Sequence, residues 1–576
     1  MASRSLAHFL SDYRWVVLAG LGVVAFVLGY IGYRERFAEV NGDNYSFGDV
    51  LYGTFKLFLL SAPEGPGLPW QLEVARILAP AVAGYATLSA LATLFRDRAQ
   101  QMVIPLRRDH VVVCGLGYVG SVFLRQLRQA GVRAVVIEVD PANPLIELCR
   151  KLHIPVIVGD AQHERTLRAA GVHRAGRLLT VCPDDAVNAE IVAVARRVAA
   201  SRKRGELRCL ARIGDPDLCA LLRVQEANLP DNSTSSFDYF NIDDLSARLW
   251  LDEFPVEGDH GQPHILVSRL DVLARWLVLH AAWAWHEHTT DASPLWISVI
   301  DDGADAKIRS LLDEYPDVEK VCRIRCASTS VGAVRRLLTQ NGDGEIPPIT
   351  RAYVSADRDE EALEAALALR HGLDAKTPMV IALSRAHGVS RLIEDARADG
   401  ELTNIDVFPT LERTCTFELV EGGTYQRIAE AIHRRWRAEQ LAVGKPAPTW
   451  RELDASRKNS NLAQARAIVT KLHSIGCEIG PLRDWGAAQF TFSDEELEQL
   501  AVVEHDRWMA ERIAARWRPG PKDVDKKLTP YLVPFDELPD DIAELDHSAV
   551  RGIPAALAAA GFQVIRRHAK GSVVST

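Results

Sequence analysis

Residues Asp109 to Asp140, DHVVVCGLGYVGSVFLRQLRQAGVRAVVIEVD, set the reading of the whole chain. An apolar run, Val111 to Cys114, enters a turn holding Gly115, Gly117 and Gly120. The amphipathic stretch Ser121 to Ala130 follows, and a second apolar run, Ala134 to Ile137, ends at Glu138. Strand, glycine turn, helix and strand in that order make a dinucleotide-binding βαβ unit. Gly115 permits the tight turn, Gly117 lets the backbone approach a pyrophosphate, and Gly120 lets helix pack on strand. The helix N-terminus then offers N–H groups to the phosphates, so Gly115, Leu116, Gly117, Tyr118, Val119 and Gly120 form the candidate binding turn. Glu138, about 20 residues on, is placed for a ribose diol.

Further strands are expected at Ile154 to Val158, ending in Gly159 and Asp160, at Arg177 to Val181, ending in Pro183 and Asp184, and at Cys209 to Ile213. Their acidic ends lie on the carboxyl rim of a parallel sheet, where ligands sit. Hydride transfer would need an acid or base held over the nicotinamide, usually by a second domain. No such constellation follows, so no catalytic residues are expected, and regulatory binding of NAD(H) or another adenine nucleotide is the better reading.

A chain of 576 residues exceeds one core, and roughly three or four domains are expected. The net charge of −9 is spread rather than blocked, which argues against a nucleic-acid partner. Nine cysteines include no CxxC pair, Cys322 and Cys326 being the closest, as expected of reduced structural thiols. The triplet His286 to His288 reads as a helix end meeting solvent, and no metal site is expected.

Two apolar runs precede the βαβ unit, at 15–33 and 77–95, each long enough to cross a bilayer. Arg4 and Arg14 stand before the first and Arg96, Arg98, Arg107 and Arg108 after the second, while the loop between is acidic. By the positive-inside rule both termini are cytoplasmic. Within the loop, Ser46 and Asp49 make an N-cap pair. Phe47 to Leu60 then reads as a short re-entrant helix, followed by the Pro/Gly turn SAPEGPGLPW. Irregular backbone at membrane depth needs a water-filled cavity or a protein wall. Residues 1–100, with a re-entrant segment at 47–70, therefore have the layout of a pore domain.

Residues 10 to 240 resemble the two-span ion channels, potassium channels among them, whose pore feeds a cytoplasmic RCK (TrkA-N type) domain. The resemblance implies a homo-tetramer in the cell inner membrane, with the first Rossmann-like domain at 108–240. It also implies that the aspartate of the GDA motif, Asp160 beside Ala161, contacts the adenosine part of the ligand, and that Asp185 and Asn188 serve packing or ligand contacts. The chain departs from the family at the filter, where TVGYG would stand: Ser61, Glu64, Gly65 and Gly67 form the pore loop around two prolines. Proline fixes φ and removes donors, which argues against a potassium filter of the usual kind. A Glu64 ring would favour cations. The alternative is a hairpin that only anchors the sensor.

Pro263 to His280 and Leu295 to Asp301 again read strand, turn, helix, strand, with Ser268, Leu270 and Leu273 where the glycines stood. Side chains there would block phosphates. With strands at Lys320 to Arg325, Arg351 to Val354 and Met379 to Leu383, residues 260–425 are expected to be a degenerate second RCK-like unit.

After the boundary at Gly444 to Pro448 the pattern turns helical. A helix opening on the capping box Ser493 to Glu496 carries Glu504, Trp508, Glu511 and Arg512 on one stripe. His505, Trp508, Trp517, Gly520, Pro521, Pro530, Leu532, Val533, Phe535, Leu538 and Pro539 match the pattern of the ryanodine-receptor repeat (RyR domain), which this stretch resembles. Residues 445–576 are expected to form that domain. Tryptophans flanked by carboxylates and arginines can stack a nucleobase and hold its polar edge, so Trp508, Glu511, Arg512 and Trp517 are the candidate pocket.

The fold class expected is α/β: a two-helix transmembrane pore-like domain, tandem parallel-sheet Rossmann-like units, and a mostly helical RyR domain. The function expected is a multi-pass, ligand-gated channel or pore regulated by nucleotide, with the lipid bilayer as partner, in the manner of a signal- or defence-responsive effector. The alternatives are a membrane-anchored NAD-dependent oxidoreductase and a nucleotide-sensing subunit of a transporter.

Overall fold

The computed structural model describes residues 2–41, 45–61, 67–104, 107–202, 205–229, 235–256, 262–288, 293–339, 346–384, 404–421 and 423–567. The chain divides into two units, Met1–Val103 and Ile104–Thr576.

The first unit is three helices, α1 (Ala2–Asn41), α2 (Phe47–Phe58) and α3 (Trp70–Val103). The Ser46 capping box forms as expected: Asp49 N donates to Ser46 Oγ at 3.2 Å and Ser46 N to Asp49 Oδ2 at 2.9 Å. Small residues set the spacing. A Cβ on Gly29 would come within 2.9 Å of Leu57 Cδ1, and one on Gly32 within 2.7 Å of the Leu72 Cβ. Such notches are how helices without a hydrophobic driving force between them achieve close packing. The outward face is apolar, with Val16, Val23, Tyr52, Phe55, Ile77 and Leu88 exposed. Among the described residues one helix, Val16–Glu39, with mean hydropathy 2.2, is long and apolar enough to cross a membrane. The expected second span at 77–95 lies within α3, where the side chains of 90 and 92–95 fall outside the described residues. Of the pore loop, Ser61 and Gly67 are described, while Glu64 and Gly65 lie outside the described residues.

The second unit is built on two six-stranded sheets. The first contains β1 (Val111–Cys114), β2 (Ala134–Glu138), β3 (Val156–Val158), β4 (Arg177–Thr180), β5 (Leu207–Arg212) and β6 (Ser235–Phe240). The second contains β7 (His264–Ser268), β8 (Leu295–Ile300), β9 (Cys322–Ala327), β10 (Arg351–Val354), β11 (Met379–Leu383) and β12 (Ile405–Pro409). Both are wholly parallel and share one order, β3-β2-β1-β4-β5-β6 and β9-β8-β7-β10-β11-β12. That is the doubly wound order of dinucleotide-binding folds. The central strands read as unbroken apolar runs because helices cover both faces; β1, β2, β7 and β11 are buried throughout. The edge strands β6 and β12 escaped the sequence reading, since SSFDYF and IDVFP mix polar residues and a proline into short runs. Residues 318–321 form a helical turn before β9 rather than its beginning.

The sheets exchange their end segments. Helix α4 (Tyr118–Gln129) follows β1, and α5 (Ile242–Glu253) follows β6. Trp250 of α5 is fully buried in the core of the second sheet, edge-on to Tyr353 at 5.3 Å and stacked on Phe408 at 5.8 Å. In return Cys415, with Leu411 and Phe417, joins the core around α4. Asp244 of α5 accepts at 2.7 Å from His280 on α6 (Val272–His288) and at 3.1 Å from Arg248. Burial alone would raise the Asp244 carboxyl, but Arg248 and His280 outweigh it and hold the group far below the usual carboxylate range.

Helices α7 (Thr424–Ala442), α8 (Ala455–Ser474), α9 (Asp494–Ala514) and α10 (Asp540–Arg551), with an antiparallel pair, β13 (Cys477–Pro481) and β14 (Phe562–Arg566), close the chain. Their core, from Ile428 through Leu472 and Leu500 to Phe562, includes Ala227 of the first Rossmann-like unit.

Candidate functional site

The turn between β1 and α4 distributes its glycines as three separate requirements. Gly115 has φ +95°, and a Cβ there would stand 3.0 Å from Cys182 N. Gly120 has no room at all, since its Cβ would lie 2.2 Å from Gly115 O. Around Gly117 a Cβ would meet nothing within 4 Å, so the open side of the turn is there. Gly117 is also the N-cap of α4 and supplies no capping side chain. The first intrahelical bond is Ser121 N to Gly117 O at 3.0 Å, and the N–H groups ahead of it point out of the helix end. Tyr118 donates its hydroxyl to Glu412 at 3.3 Å, while Val119 packs against the core around α4.

Glu138 is buried beside this opening and braces it. Leu116 N donates to its Oε2 at 2.8 Å and Asp140 N to its Oε1 at 2.9 Å. A carboxylate has acceptor sites left after two such bonds, so a ribose hydroxyl remains compatible with this role. Asp160 is half exposed; Gln162 N donates to its Oδ1 at 2.8 Å, and His163 Nδ1 stands 3.3 Å from its Oδ2. Ala161 turns into the core. Asp185 accepts from Gly214 N at 2.7 Å and Asp215 N at 2.8 Å. Asn188 is fully buried and spans Cys182 and Arg212. Both therefore hold loops rather than face a ligand. Cys182, unremarked in the sequence, lies under the turn; burial first, then the charges of Glu138 and Asp160, push its thiol up to about 11.

The second sheet keeps the framework of this site and closes it. Arg269 N donates to Ile300 O at 2.8 Å as Gly115 N does to Ile137 O at 3.0 Å. Leu270 N donates to Asp301 Oδ2 at 3.0 Å as Leu116 N does to Glu138. These bonds fix the alignment as Arg269, Asp271 and Ala274 for Gly115, Gly117 and Gly120, which corrects the expected Ser268, Leu270 and Leu273 by one residue. The apolar pattern alone could not separate the two registers. Asp271 now stands where Gly117 left space, and its Oδ1 caps α6 through Ala274 N at 2.7 Å. Lys307 donates to Asp301 at 2.9 Å and to Leu270 O at 3.1 Å. A carboxylate at the phosphate position opposes a pyrophosphate by charge as well as bulk.

In the C-terminal helices, Arg512 lies 5.4 Å from the Trp508 ring centre and 4.9 Å from that of Trp517, a double cation–π contact. Its Nε is buried without a hydrogen-bond partner. Glu511 belongs to a different group, accepting from Arg507 at 2.7 Å and Ser460 at 3.2 Å. Arg507 also holds both oxygens of the buried Glu504, which lies 2.5 Å from the equally buried Lys471 Nζ. Burial would raise Glu504, yet Lys471 and Arg507 keep it below its usual value. The spacing of Glu504, Arg507 and Glu511 was a visible signal; Lys471, inside the apolar run of α8, gave none. No group of three or more potential metal ligands occurs among the described residues.

Residues 111–229 match the TrkA-N domain family and residues 492–566 the RyR domain family. A glutathione-regulated potassium-efflux system protein KefC from Cronobacter sakazakii is 27% identical over 206 residues, which cover 35% of this chain and 31% of that protein. The chain spans about a third of the length of the curated relatives it matches. Among solved structures, the GsuK channel bound to NAD is similar at 14% identity over 86% of this chain and 91% of that one, with a TM-score of 0.35. GsuK bound to ADP is similar at 16% identity over 72% and 98%, with a TM-score of 0.35.

Proposed function

We propose that this protein is a membrane ion-transport protein whose first Rossmann-like unit binds an adenine nucleotide, NAD(H) or ADP/ATP, and thereby regulates ion passage without catalysing a reaction. The observation that carries this reading is the open, uncapped turn at Gly117, braced by Glu138, set against the same turn in the second sheet closed by Asp271. The TrkA-N match over 111–229 and the potassium-efflux relatives support it. In this reading α1 and α3 both span the inner membrane, α2 is a re-entrant helix, both termini are cytoplasmic, and four copies surround a pore. Trp508, Arg512 and Trp517 take a second ligand with an aromatic face. A nucleotide shifts such a pore only through unequal affinity for its closed and open states.

Purified full-length protein in potassium-loaded liposomes tests the proposal. Nucleotide-dependent potassium release that is lost in Gly117→Val supports it, whereas nucleotide turnover without release points to an oxidoreductase. One observation favours a second reading: the match to the potassium-efflux relatives covers about a third of their length, which suits a membrane-anchored nucleotide-sensing subunit of a transporter. Nucleotide binding with no release from liposomes, restored by a co-reconstituted transporter, would select it.

A further inference from the structure

His505 of α9 has only 2% of its side chain exposed, and both of its ring nitrogens face oxygen. Nε2 lies 2.9 Å from Val533 O, and Nδ1 lies 3.1 Å from Asp546 Oδ2. Turning the ring over would point carbon at both oxygens, so the two bonds fix its orientation. The ring is also clasped, stacked on Trp508 at 5.6 Å and edge-on to Phe535 at 6.0 Å between ring centres.

A carbonyl oxygen only accepts, so Nε2 carries a hydrogen. A neutral imidazole has one hydrogen to give, which leaves a lone pair on Nδ1 directed at a carboxyl group. That contact is attractive only with one further proton in it, as imidazolium with carboxylate or as imidazole with carboxylic acid. The pair therefore holds a proton in common and titrates as a unit. Without that proton two lone pairs meet, in a place where water cannot relieve them.

Among the described residues, the other charged groups facing the pair are Glu504 and Arg507 of α9 and Lys471 of α8, which are ion-paired with one another. His547, next along α10, turns instead to Phe535 and Glu498. Burial first, and then Glu504, raise the Asp546 carboxyl from 3.8 to about 6, although His505 and Arg507 partly offset them. A carboxyl held above its unfolded value contributes stability that is present below about pH 4 and lost as pH rises through about 6.

The two oxygens belong to different elements, Asp546 to α10 and Val533 to the strap 530–539 that precedes it. We infer that the shared proton is a latch: while it is bound, His505 ties the strap and α10 to α9, and when it leaves, the strap lifts. The C-terminal helices thus carry a pH input of their own, which does not rest on nucleotide binding at the glycine turn.

Hydrogen exchange of the detergent-solubilised full chain tests this at about pH 5 and pH 8, read by mass spectrometry on peptides covering 530–539 and corrected for the intrinsic pH dependence of exchange. The expected result is a tenfold or greater loss of protection at the higher pH. Asp546→Asn offers Nδ1 an amide N–H that does not titrate, so its strap should keep its protection within about twofold. If Asp546→Asn does not fold, His505→Gln decides: its amide still donates to Val533 O and does not titrate, so its strap should show no pH step. Equal protection of the wild-type strap at both pH values overturns the inference, as does a folded variant that loses protection with pH as the wild type does.

Discussion

Gly117 and Gly115 stand two residues apart and respond to substitution in opposite ways. Gly117 has φ −80° and ψ −168°, which any residue adopts, and empty space around it. Gly117→Val should therefore melt with the wild type while losing nucleotide affinity by about thirtyfold or more, roughly 2 kcal/mol of binding; calorimetry and a thermal melt read the two separately. Gly115 has a positive φ and backbone 3.0 Å from the would-be Cβ. Gly115→Ala should lower stability by about 1–3 kcal/mol, seen as a lower melting temperature even without ligand. At this scale the sequence was informative where spacing marks a local motif, as for the three glycines, of which Gly115 alone needs a positive φ. It was silent where the partner comes from far along the chain: Lys471 reads as one more residue of an apolar helix until Glu504 is beside it.

At the scale of the element, the turn before α6 keeps its hydrogen bonds and changes its charge. Burial first, then the neighbouring Asp243 and Asp357, raise the Asp271 carboxyl from 3.8 to about 6, although Ala274 N and Ser355 partly offset them. A carboxyl whose folded value lies above its unfolded one binds the proton more tightly when folded. The stability it contributes is present below about pH 4 and is lost as pH rises to about 6. Asp271→Asn keeps an oxygen for the cap and removes the charge. It should flatten the loss across that window and stabilise the protein at neutral pH by on the order of 2 kcal/mol, measured by denaturant titration at pH 4 and pH 7. Strand positions in both sheets were largely legible because the buried runs are apolar and bounded by turn residues. The register of the second turn was not, since an apolar strand running into leucines fits either alignment and only the backbone bonds of Arg269 and Leu270 distinguish them.

For the molecule as a whole, the exchange of end segments makes the two sheets a single folding problem. Trp250 leaves the first unit and fills the core of the second, so Trp250→Ala should cost about 3–5 kcal/mol. Scanning calorimetry should show both sheets melting together at the lower temperature; a split into two transitions would refute the coupling. This exchange was hidden from the sequence, which marks apolar residues but not which core receives them. The C-terminal helices were legible through their capping box and tryptophans. In the first unit, Leu57 and Leu72 sit in the notches of Gly29 and Gly32. A slide of one residue along α1 is about 1.5 Å and would lift both leucines out of register at once. The three helices are therefore keyed to one another, so that α1 cannot slide by a residue without losing its fit to both α2 and the start of α3.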